Sequence, residues 1–285
     1  MPTAPVLLAG HPVHRMGFGA MQLPGTGVFG PPKDHDAAIA VLRAARSAGV
    51  NHIDTAQFYG PDVANDLIKE ALFPYDDELV LVSKVGAARG ADGGWLPAQR
   101  PEELRSGVET NLRSLGVDQV HVVNLRRHPE GTVPLDEQLG EMAALRDEGL
   151  IGGIGLSNVT LDEYRTAQAT TEVACVQNAY NLIERAEQDL FDACVEDGTP
   201  FVPFFPLGSA FVAESPVLND PVVQAPAARM DVTAPQVALA WLLAIAPRVL
   251  LIPGTSALAH LEENLAAADV VLDEEALSAL ADVRP

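Results

Sequence analysis

The stretch "NHIDTAQFYG" (residues 51–60) places a carboxylate, Asp54, just after a short apolar run and a phenol, Tyr59, just before a glycine. A run of this kind predicts a short buried β-strand, with Asp54 at its carboxyl end and Tyr59 in the loop that follows. Neither residue identifies a chemistry alone. Their meaning depends on whether the chain repeats such strands and brings other reactive groups to the same place.

Short apolar runs of the same type recur along the whole chain. They are rich in Val, Ile and Leu and nearly continuous, which is typical of parallel strands covered on both faces. We read eight of them: "MGFGAMQL", "VNHID", "ELVLVSK", "QVHVVNLR", "IGGIGLS", "EVACVQN", "PFVPFFPLG" and "RVLLIPG".

Segments with helical spacing and recognisable ends alternate with these runs. "DHDAAIAVLRAARSAGV" has an Asp near its start and Gly49 as a stop, and "RPEELRSGVETNLRSLGV" begins with Pro101 and ends at Gly116. Eight strands alternating with helices in 285 residues predict a (β/α)₈ barrel, whose usual length is ~250 residues. The opening "PVLLAGHPVHRMG" predicts a small hairpin ahead of the barrel, with "GH" or "HP" near its turn.

A doubly wound open sheet is the alternative architecture. It requires a glycine-rich dinucleotide fingerprint after the first strand, and "GFGAM" is too short to be one. Apolar residues make up 48% of the chain and no linker interrupts it, so we expect a single domain over residues 1–285.

The charge balance bears on the possible partners. Eighteen basic and 39 acidic residues give a net charge of −21, which repels phosphate backbones and anionic lipid headgroups. We therefore expect neither nucleic acid nor membrane partners. Separately, we expect no metal site, and a monomer or small homo-oligomer.

Cysteine usage and the N-terminal segment bear on the compartment. Cys175 and Cys194 lie in apolar patterns, as reduced core cysteines do, and "MPTAPVLLAGHP" has no Lys or Arg ahead of its apolar run. No segment approaches the roughly 20 apolar residues that span a bilayer. We expect a soluble, cytoplasmic protein.

Reactive side chains fall at the predicted carboxyl ends of three adjacent strands, the face on which such barrels carry their sites. Asp54 ends the second run, Lys84 the third and Arg126 the fourth, with Tyr59 in the loop after the second. An adjacent ammonium favours the phenolate of a tyrosine, and a carboxylate would hold that ammonium in place. Together, Asp54, Lys84 and Tyr59 indicate a site in which the tyrosine donates a proton to a carbonyl oxygen as that oxygen gains negative charge. The alternative is an ordinary ion pair beneath a packing tyrosine.

With these residues the chain resembles the aldo-keto reductase family. The resemblance runs through "MGFGAM", "GVNHIDTAQFYG", "LVSKVG", "LRSLGVDQVHVVN", "IGGIGLSNVT", "CVQNAYN", "FFPLG" and "IPGTSALAHLEENLAA", nearly the whole chain. Within the family, stretches such as "GVFGPP", "WLPA" and "LLIPGTS" look most like the bacterial pyridoxal reductase branch. The resemblance implies a (β/α)₈ barrel that binds NADP(H) without a Rossmann domain and transfers hydride to or from a carbonyl carbon.

The resemblance also implies which residues are catalytic. Asp54, Tyr59 and Lys84 match three of the four family positions, and Arg126 stands where the family normally has histidine. An arginine donates only, so it polarises a carbonyl oxygen, binds an anionic group, or pairs with a carboxylate and supports the rim. Asn124 is a weaker candidate. His128 is two residues too late, and His121 is expected to be a core or interior histidine.

Cofactor contacts follow from the same resemblance, which favours NADPH. Ser157, Asn158 and Gln177 would hydrogen-bond the nicotinamide carboxamide and Phe204 would stack on the ring, although the polar residues could instead cap a helix and Phe204 could be plain core. Gly254, Thr255 and Ser256 precede a helix, where free N–H groups and hydroxyls suit the adenosine phosphate. Many relatives have Lys or Arg around positions 254 and 260, so NAD stays an alternative. The remaining predicted contacts are Pro206, Leu207 and Gly208 along the pyrophosphate, His260 facing the phosphate, and Glu263 and Asn264 at the adenine.

The substrate mouth is predicted to be aromatic. Met21, Phe58 and Trp95 would line it, under a long loop "GAARGADGGWLPAQR" whose flanking Arg89 and Arg100 could meet an anionic substrate. We expect reduction of an aldehyde or ketone to an alcohol, with pyridoxal as a fitting flat aldehyde. Two alternatives remain open: a nucleotide-binding sensor or regulatory barrel with little turnover, and a lyase that forms a Schiff base on Lys84.

Overall fold

A computed structural model describes residues 5–208 and 215–283. The described chain opens with a hairpin of β1 (Val6–Leu8) and β2 (His11–Val13), paired antiparallel. The turn residues Ala9 and Gly10 both have positive φ, 46° and 84°, as a two-residue hairpin loop requires. The predicted hairpin is confirmed. The turn consists of residues 9 and 10, whereas the predicted dipeptides "GH" and "HP" are residues 10–11 and 11–12. The turn is therefore one or two residues earlier than predicted, because Gly10 takes its second left-handed position.

Six parallel strands follow one another around a curved sheet. Their register places Asp54 beside Val82 and Lys84 beside Asn124, so the predicted rim residues lie on neighbouring strands. A further strand, β6, is not part of the barrel wall and pairs antiparallel with the outer half of β5. The bounds are β3 (Phe18–Gly19), β4 (His52–Asp54), β5 (Val80–Arg89), β6 (Trp95–Ala98), β7 (Val120–Arg126), β8 (Ile151–Ser157) and β9 (Val173–Gln177).

The seventh and eighth predicted strands are present as single paired residues rather than as ladders. Phe201 pairs with Val176 on one side and with Val249 on the other, and Met16 pairs with Leu251, which closes the ring. Prolines in both runs have no N–H to donate, so the ladders cannot extend. The (β/α)₈ barrel prediction is confirmed, the open sheet is excluded, and two strands are shorter than predicted.

Helices cover the outside of the barrel and end where the sequence indicates. Asp34 accepts a hydrogen bond from the N–H of Ala37 at the start of the first helix, and Gly116 has a φ of 72° just after the third. The bounds are α1 (His35–Ser47), α2 (Val63–Leu72), α3 (Pro101–Leu115), α4 (Leu135–Asp147), α5 (Leu161–Thr170), α6 (Gln188–Asp197), α7 (Pro216–Asn219), α8 (Pro221–Met230), α9 (Ala234–Ile245), α10 (Leu258–Ala266) and α11 (Glu274–Ala281).

Two apolar clusters form the core. The larger lies between the barrel and its helices, and the smaller fills the barrel interior, where Leu8 and Val13 of the hairpin pack against Val80, Val122 and Leu250 of the strands. The hairpin therefore closes the amino end of the barrel, which leaves the carboxyl end open for a site. Within residues 5–208 and 215–283, no helix combines the length and apolar character needed to cross a bilayer.

Candidate active site

A cavity of about 430 Å³ opens at the carboxyl end of the barrel. Most of its wall comes from predicted residues: Met21, Asp54, Phe58, Tyr59, Lys84, Trp95, Arg126, Gln177, Phe204, Pro206, Leu207, Gly208 and Gly254. Five lining residues lie outside the predicted set. All five belong to predicted apolar runs: Gly19 and Gln22 to the first, Phe205 to the seventh, and Ile252 and Pro253 to the eighth. The strand-end argument could therefore have found them.

The floor of the cavity holds a buried ion pair. Lys84 of β5 donates to Asp54 at the end of β4, and also to the carbonyl oxygen of Thr55 at 3.0 Å. The other carboxylate oxygen of Asp54 accepts from the amide nitrogen of Gln177 at 2.8 Å. Three strand ends are therefore joined through one carboxylate, and Lys84 has a fixed direction.

Tyr59 completes the predicted catalytic group. The Lys84 ammonium lies 5.0 Å from the centre of the Tyr59 ring. In the loop that carries Tyr59, the backbone N–H of Tyr59 donates to the carbonyl oxygen of Ala56. Burial alone lowers the pKa of Lys84, but the charges of Asp54 and Tyr59 and the hydrogen bonds to both outweigh it and raise that pKa. Lys84 is therefore a charged group at neutral pH, whereas a Schiff base requires a free amine.

A buried polar network stands behind the ion pair, and sequence reasoning misses it. Asn111 of α3 accepts from Ser83 at 2.6 Å and from Asn65 of α2 at 2.9 Å, and Asn65 accepts from Thr55 at 2.8 Å. Thr55 and Ser83 directly adjoin Asp54 and Lys84 in the chain. The network attaches the segments that carry Asp54 and Lys84 to two helices, and no sequence pattern predicts which distant side chains meet.

Arg126 faces the cavity, and its surroundings decide between the roles considered for it. Its guanidinium carbon lies 5.8 Å from the centre of the Phe204 ring, and the neighbouring Arg127 takes Glu163 as its ion-pair partner. In the described part of the chain, no carboxylate lies within ion-pair distance of Arg126. Burial lowers the pKa of Arg126, while the charge of Tyr59 opposes that shift. The rim-supporting ion pair considered from the sequence is therefore not the arrangement present.

The segment predicted as a loop over the mouth is instead a β-hairpin of β5 and β6. Arg89 donates to the carbonyls of Gly27, Val28 and Gly93 at 2.7–3.0 Å, and its guanidinium carbon lies 4.1 Å from the Trp95 ring centre. Backbone carbonyls thus occupy four of the five N–H donors of Arg89, which disfavours the expected contact with an anionic substrate. Arg100 lies at the start of α3 and pairs with two glutamates there.

Aromatic side chains form one wall of the cavity, as predicted. The ring of Phe58 stands edge to face with that of Tyr59 at 5.4 Å and with that of Trp95 at 5.6 Å, and Met21 lines the same space. Such a wall suits a flat, partly apolar molecule.

Two buried side-chain oxygens at strand ends have no hydrogen-bond partner within residues 5–208 and 215–283, which bears on a nicotinamide cofactor. Ser157 Oγ at the end of β8 and Gln177 Oε1 at the end of β9 are both unpaired. Thr160 caps α5 by accepting from the N–H of Glu163, so Ser157 and Asn158 are free of the capping role considered for them. A carboxamide fits these groups, because it supplies donors that match such acceptors.

The predicted adenosine contacts are more dispersed. Gly254 lines the cavity, and a Cβ there would lie 2.4 Å from the carbonyl oxygen of Gly19, so this position excludes a Lys or Arg side chain. Thr255 accepts from the N–H of Ala257 within its own turn, and Ser256 lines a neighbouring cavity of about 310 Å³. His260 is exposed on α10, whereas Glu263 is half-buried and Asn264 is buried.

The remaining candidates lie outside the cavity. His121 is half-buried rather than interior: it accepts from the N–H of Leu81, and its ring contacts that of His11. His128 accepts from the N–H of Glu130 in a local turn, and Asn124 accepts from the Cys175 thiol inside the barrel. The described residues contain no cluster of His, Cys, Asp or Glu that could hold a metal ion.

A closed parallel barrel with a buried carboxylate, ammonium and phenol beneath an aromatic cavity defines a class, the barrel oxidoreductases that act on carbonyl groups. Comparison with known proteins identifies the family. The model of the aldo/keto reductase family matches residues 15–284. The chain therefore belongs to the aldo/keto reductase family, whose members use a nicotinamide cofactor on small carbonyl compounds.

Individual relatives agree with this assignment. Pyridoxine 4-dehydrogenase of Escherichia coli (strain K12) is 50% identical over 273 residues, which cover 94% of each chain. An uncharacterized oxidoreductase of Schizosaccharomyces pombe (strain 972 / ATCC 24843) is 40% identical over 268 residues, 94% of this chain and 86% of its own. Among solved structures, an aldo-keto reductase from Klebsiella pneumoniae in complex with NADPH has a TM-score of 0.81 at 27% identity, covering 98% of this chain and 94% of that one.

Proposed function

We propose that this protein reduces aromatic aldehydes to primary alcohols with NADPH, and that pyridoxal, which becomes pyridoxine, is the favoured substrate. The observation that carries the proposal is the buried Lys84 ammonium, held by Asp54 and set against Tyr59 on the floor of an aromatic cavity. The 50% identity to pyridoxine 4-dehydrogenase supports the choice of substrate.

Each catalytic residue has one task in this reaction. The nicotinamide, when bound, supplies the hydride that the aldehyde carbon accepts. Tyr59 donates a proton to the carbonyl oxygen, because the Lys84 ammonium stabilises the phenolate that remains. Asp54 keeps Lys84 charged and fixed in direction. Water then returns the proton to Tyr59.

The cofactor would lie along residues that offer hydrogen-bond acceptors or an aromatic ring. The Oγ of Ser157 and the Oε1 of Gln177 would accept from the carboxamide, with Asn158 beside them and Phe204 against the ring. Pro206, Leu207 and Gly208 would follow the pyrophosphate. The adenosine end would take the set Gly254, Thr255, Ser256, His260, Glu263 and Asn264. Gly254 brings no cation there, so NAD remains the alternative to NADPH.

We also propose that residues 1–285 act as one barrel unit in the cytoplasm, as a monomer or small homo-oligomer without nucleic acid or membrane partners. The two free, buried cysteines support a reducing compartment, and the net charge of −21 disfavours polyanionic partners.

The test combines a substrate panel with one substitution. NADPH oxidation is followed with aldehydes and ketones that include pyridoxal, for the wild-type protein and for Tyr59→Phe. We expect Tyr59→Phe to lower kcat by about 10²- to 10⁴-fold, the usual contribution of a positioned acid, with unchanged quenching of NADPH fluorescence. Turnover that survives the substitution would refute the role of Tyr59.

A sensor or regulatory barrel is the second candidate, because Arg126 replaces the histidine usual in the family. NADPH fluorescence quenching without aldehyde-dependent oxidation in the wild-type protein would favour this candidate over the reductase.

A further inference from the structure

Arg126 is a cation in the cavity, and none of the residues described, 5–208 and 215–283, gives it a carboxylate partner. Its side chain is half-buried and lines the cavity with Tyr59 and Phe204, and the Asp54 carboxylate is already occupied by Lys84 and Gln177. A charge that is partly removed from water and has no counter-charge raises the free energy of the protein. A ligand that carries an anion into the cavity would neutralise the guanidinium.

The position of Arg126 defines where that anion must lie. Asn124 is paired with Lys84 across β5 and β7, and Arg126 is two residues further toward the mouth on the same face of β7. Arg126 and Tyr59 line the same cavity. An oxygen that accepts the Tyr59 proton therefore shares this cavity with the guanidinium, and an anion that pairs with Arg126 must be on the same part of the ligand as that oxygen.

The shape of the guanidinium adds a second condition. Its N–H donors form a rigid planar fork, which matches two neighbouring coplanar oxygens better than one. In an aromatic aldehyde, two such oxygens exist when an ionised hydroxyl stands ortho to the carbonyl. The flat ring that carries them would lie against Phe58 and Trp95.

We propose that Arg126 makes the enzyme selective for aromatic aldehydes with an ionised oxygen ortho to the carbonyl group. The fork holds the phenolate oxygen and the aldehyde oxygen together, which turns the aldehyde oxygen toward Tyr59. Pyridoxal has this pattern, since its ring nitrogen makes the hydroxyl beside the aldehyde acidic. The phenolate is a recognition group only, so the bonds made and broken remain those of carbonyl reduction. This inference rests on the proposed function.

Matched aldehydes test the selectivity directly. Salicylaldehyde ionises beside its carbonyl, 2-methoxybenzaldehyde has the same substituent position without ionising, and 4-hydroxybenzaldehyde ionises on the far side of the ring. We expect the wild-type kcat/KM to favour salicylaldehyde over both by on the order of 10- to 100-fold, as for a charge-assisted two-point contact. We also expect this preference to grow as pH rises and the salicylaldehyde hydroxyl ionises.

Two variants separate the fork from the charge. In Arg126→Gln the preference for salicylaldehyde is expected to fall to nearly 1 and to lose its pH dependence. In Arg126→Lys, which keeps the charge without the fork, we expect an intermediate preference. NADPH fluorescence titration checks that both variants still bind cofactor. If Arg126→Gln binds none, the Arg126→Lys ratios decide.

Each contrary outcome has a distinct meaning. A wild-type protein that reduces the aldehydes without ortho preference, or an Arg126→Gln protein that keeps it, overturns this inference and leaves the proposed function standing. If Arg126→Gln instead loses only a preference for pyridoxal 5′-phosphate over pyridoxal, the anion recognised is a phosphate, and the inference is also wrong. If none of the aldehydes tested makes the wild-type protein oxidise NADPH, the proposed function itself fails.

Discussion

Polar side chains inside the barrel depend on glycines in the neighbouring strand segments. A Cβ at Gly17 would lie 2.4 Å from His52 Nδ1, and one at Gly155 would lie 2.0 Å from Asn124 Oδ1. Both distances are far below van der Waals contact, so larger residues at either position would displace His52 or Asn124. The glycines of "IGGIGLS" thus make room for neighbouring side chains, a role that the run itself does not reveal.

His52 is expected to make folding stability depend on pH. Burial, the largest cause, lowers the pKa of His52 to about 4 from 6.5. The unfolded chain therefore binds more protons between these two values, and stability falls as pH drops from about 6.5 to about 4. At 1.36 kcal/mol per pKa unit, the full loss is about 3 kcal/mol.

Urea unfolding at several pH values measures this dependence. His52→Asn is expected to flatten the slope between pH 6.5 and 4, whereas replacing the exposed His260 is the matched control and should leave it unchanged. An unchanged slope in His52→Asn would assign the acid sensitivity to carboxylates instead.

The hairpin of β5 and β6 is the element that shapes the mouth. Arg89 joins its turn to the segment around Gly27 and Val28, and lies between the rings of Phe29 and Trp95. Sequence reasoning assigns this segment to a glycine-rich loop because its glycines are locally permissive. The contacts of one arginine with a loop sixty residues away order it instead.

Arg89→Lys is expected to loosen this hairpin. Lysine cannot reproduce the fork that donates to several carbonyls, so opening becomes easier by about 1.5–3 kcal/mol, the range for hydrogen bonds to charged groups. Acrylamide quenching of tryptophan fluorescence reports mainly on Trp95, since Trp241 is buried. We expect stronger quenching and a higher KM in Arg89→Lys. Arg100→Lys, an exposed surface change, is the control; equal quenching in both variants would contradict the assignment.

Closure of the barrel is a property of the whole molecule. The ring is completed by isolated pairs at Phe201, Val249 and Met16 instead of full ladders, and apolar packing on both sides of the wall holds it. Cys175 belongs to the interior cluster and Cys194 to the outer one. The two thiols therefore report on opposite sides of the same wall.

Both thiols are expected to be unreactive in the folded protein. Burial raises the pKa of Cys175 and that of Cys194 to about 12, so almost no thiolate is available and no reagent has access. A disulfide reagent should label the two at one common rate that follows global unfolding, and saturating NADPH should slow both equally. Much faster labelling of Cys194 would show that the outer layer opens alone.

The sequence by itself determined the alternation of strands and helices, the barrel, and the rim positions of Asp54, Tyr59, Lys84 and Arg126. These features follow from local periodicity and from the order of strand ends, both of which can be read along the chain. Only the tertiary structure decided that Arg126 has no carboxylate partner among the described residues, that Arg89 is occupied by backbone carbonyls, and that Asn111 supports the segments of the ion pair. Those outcomes depend on contacts between residues far apart in sequence, whose distances no local pattern encodes.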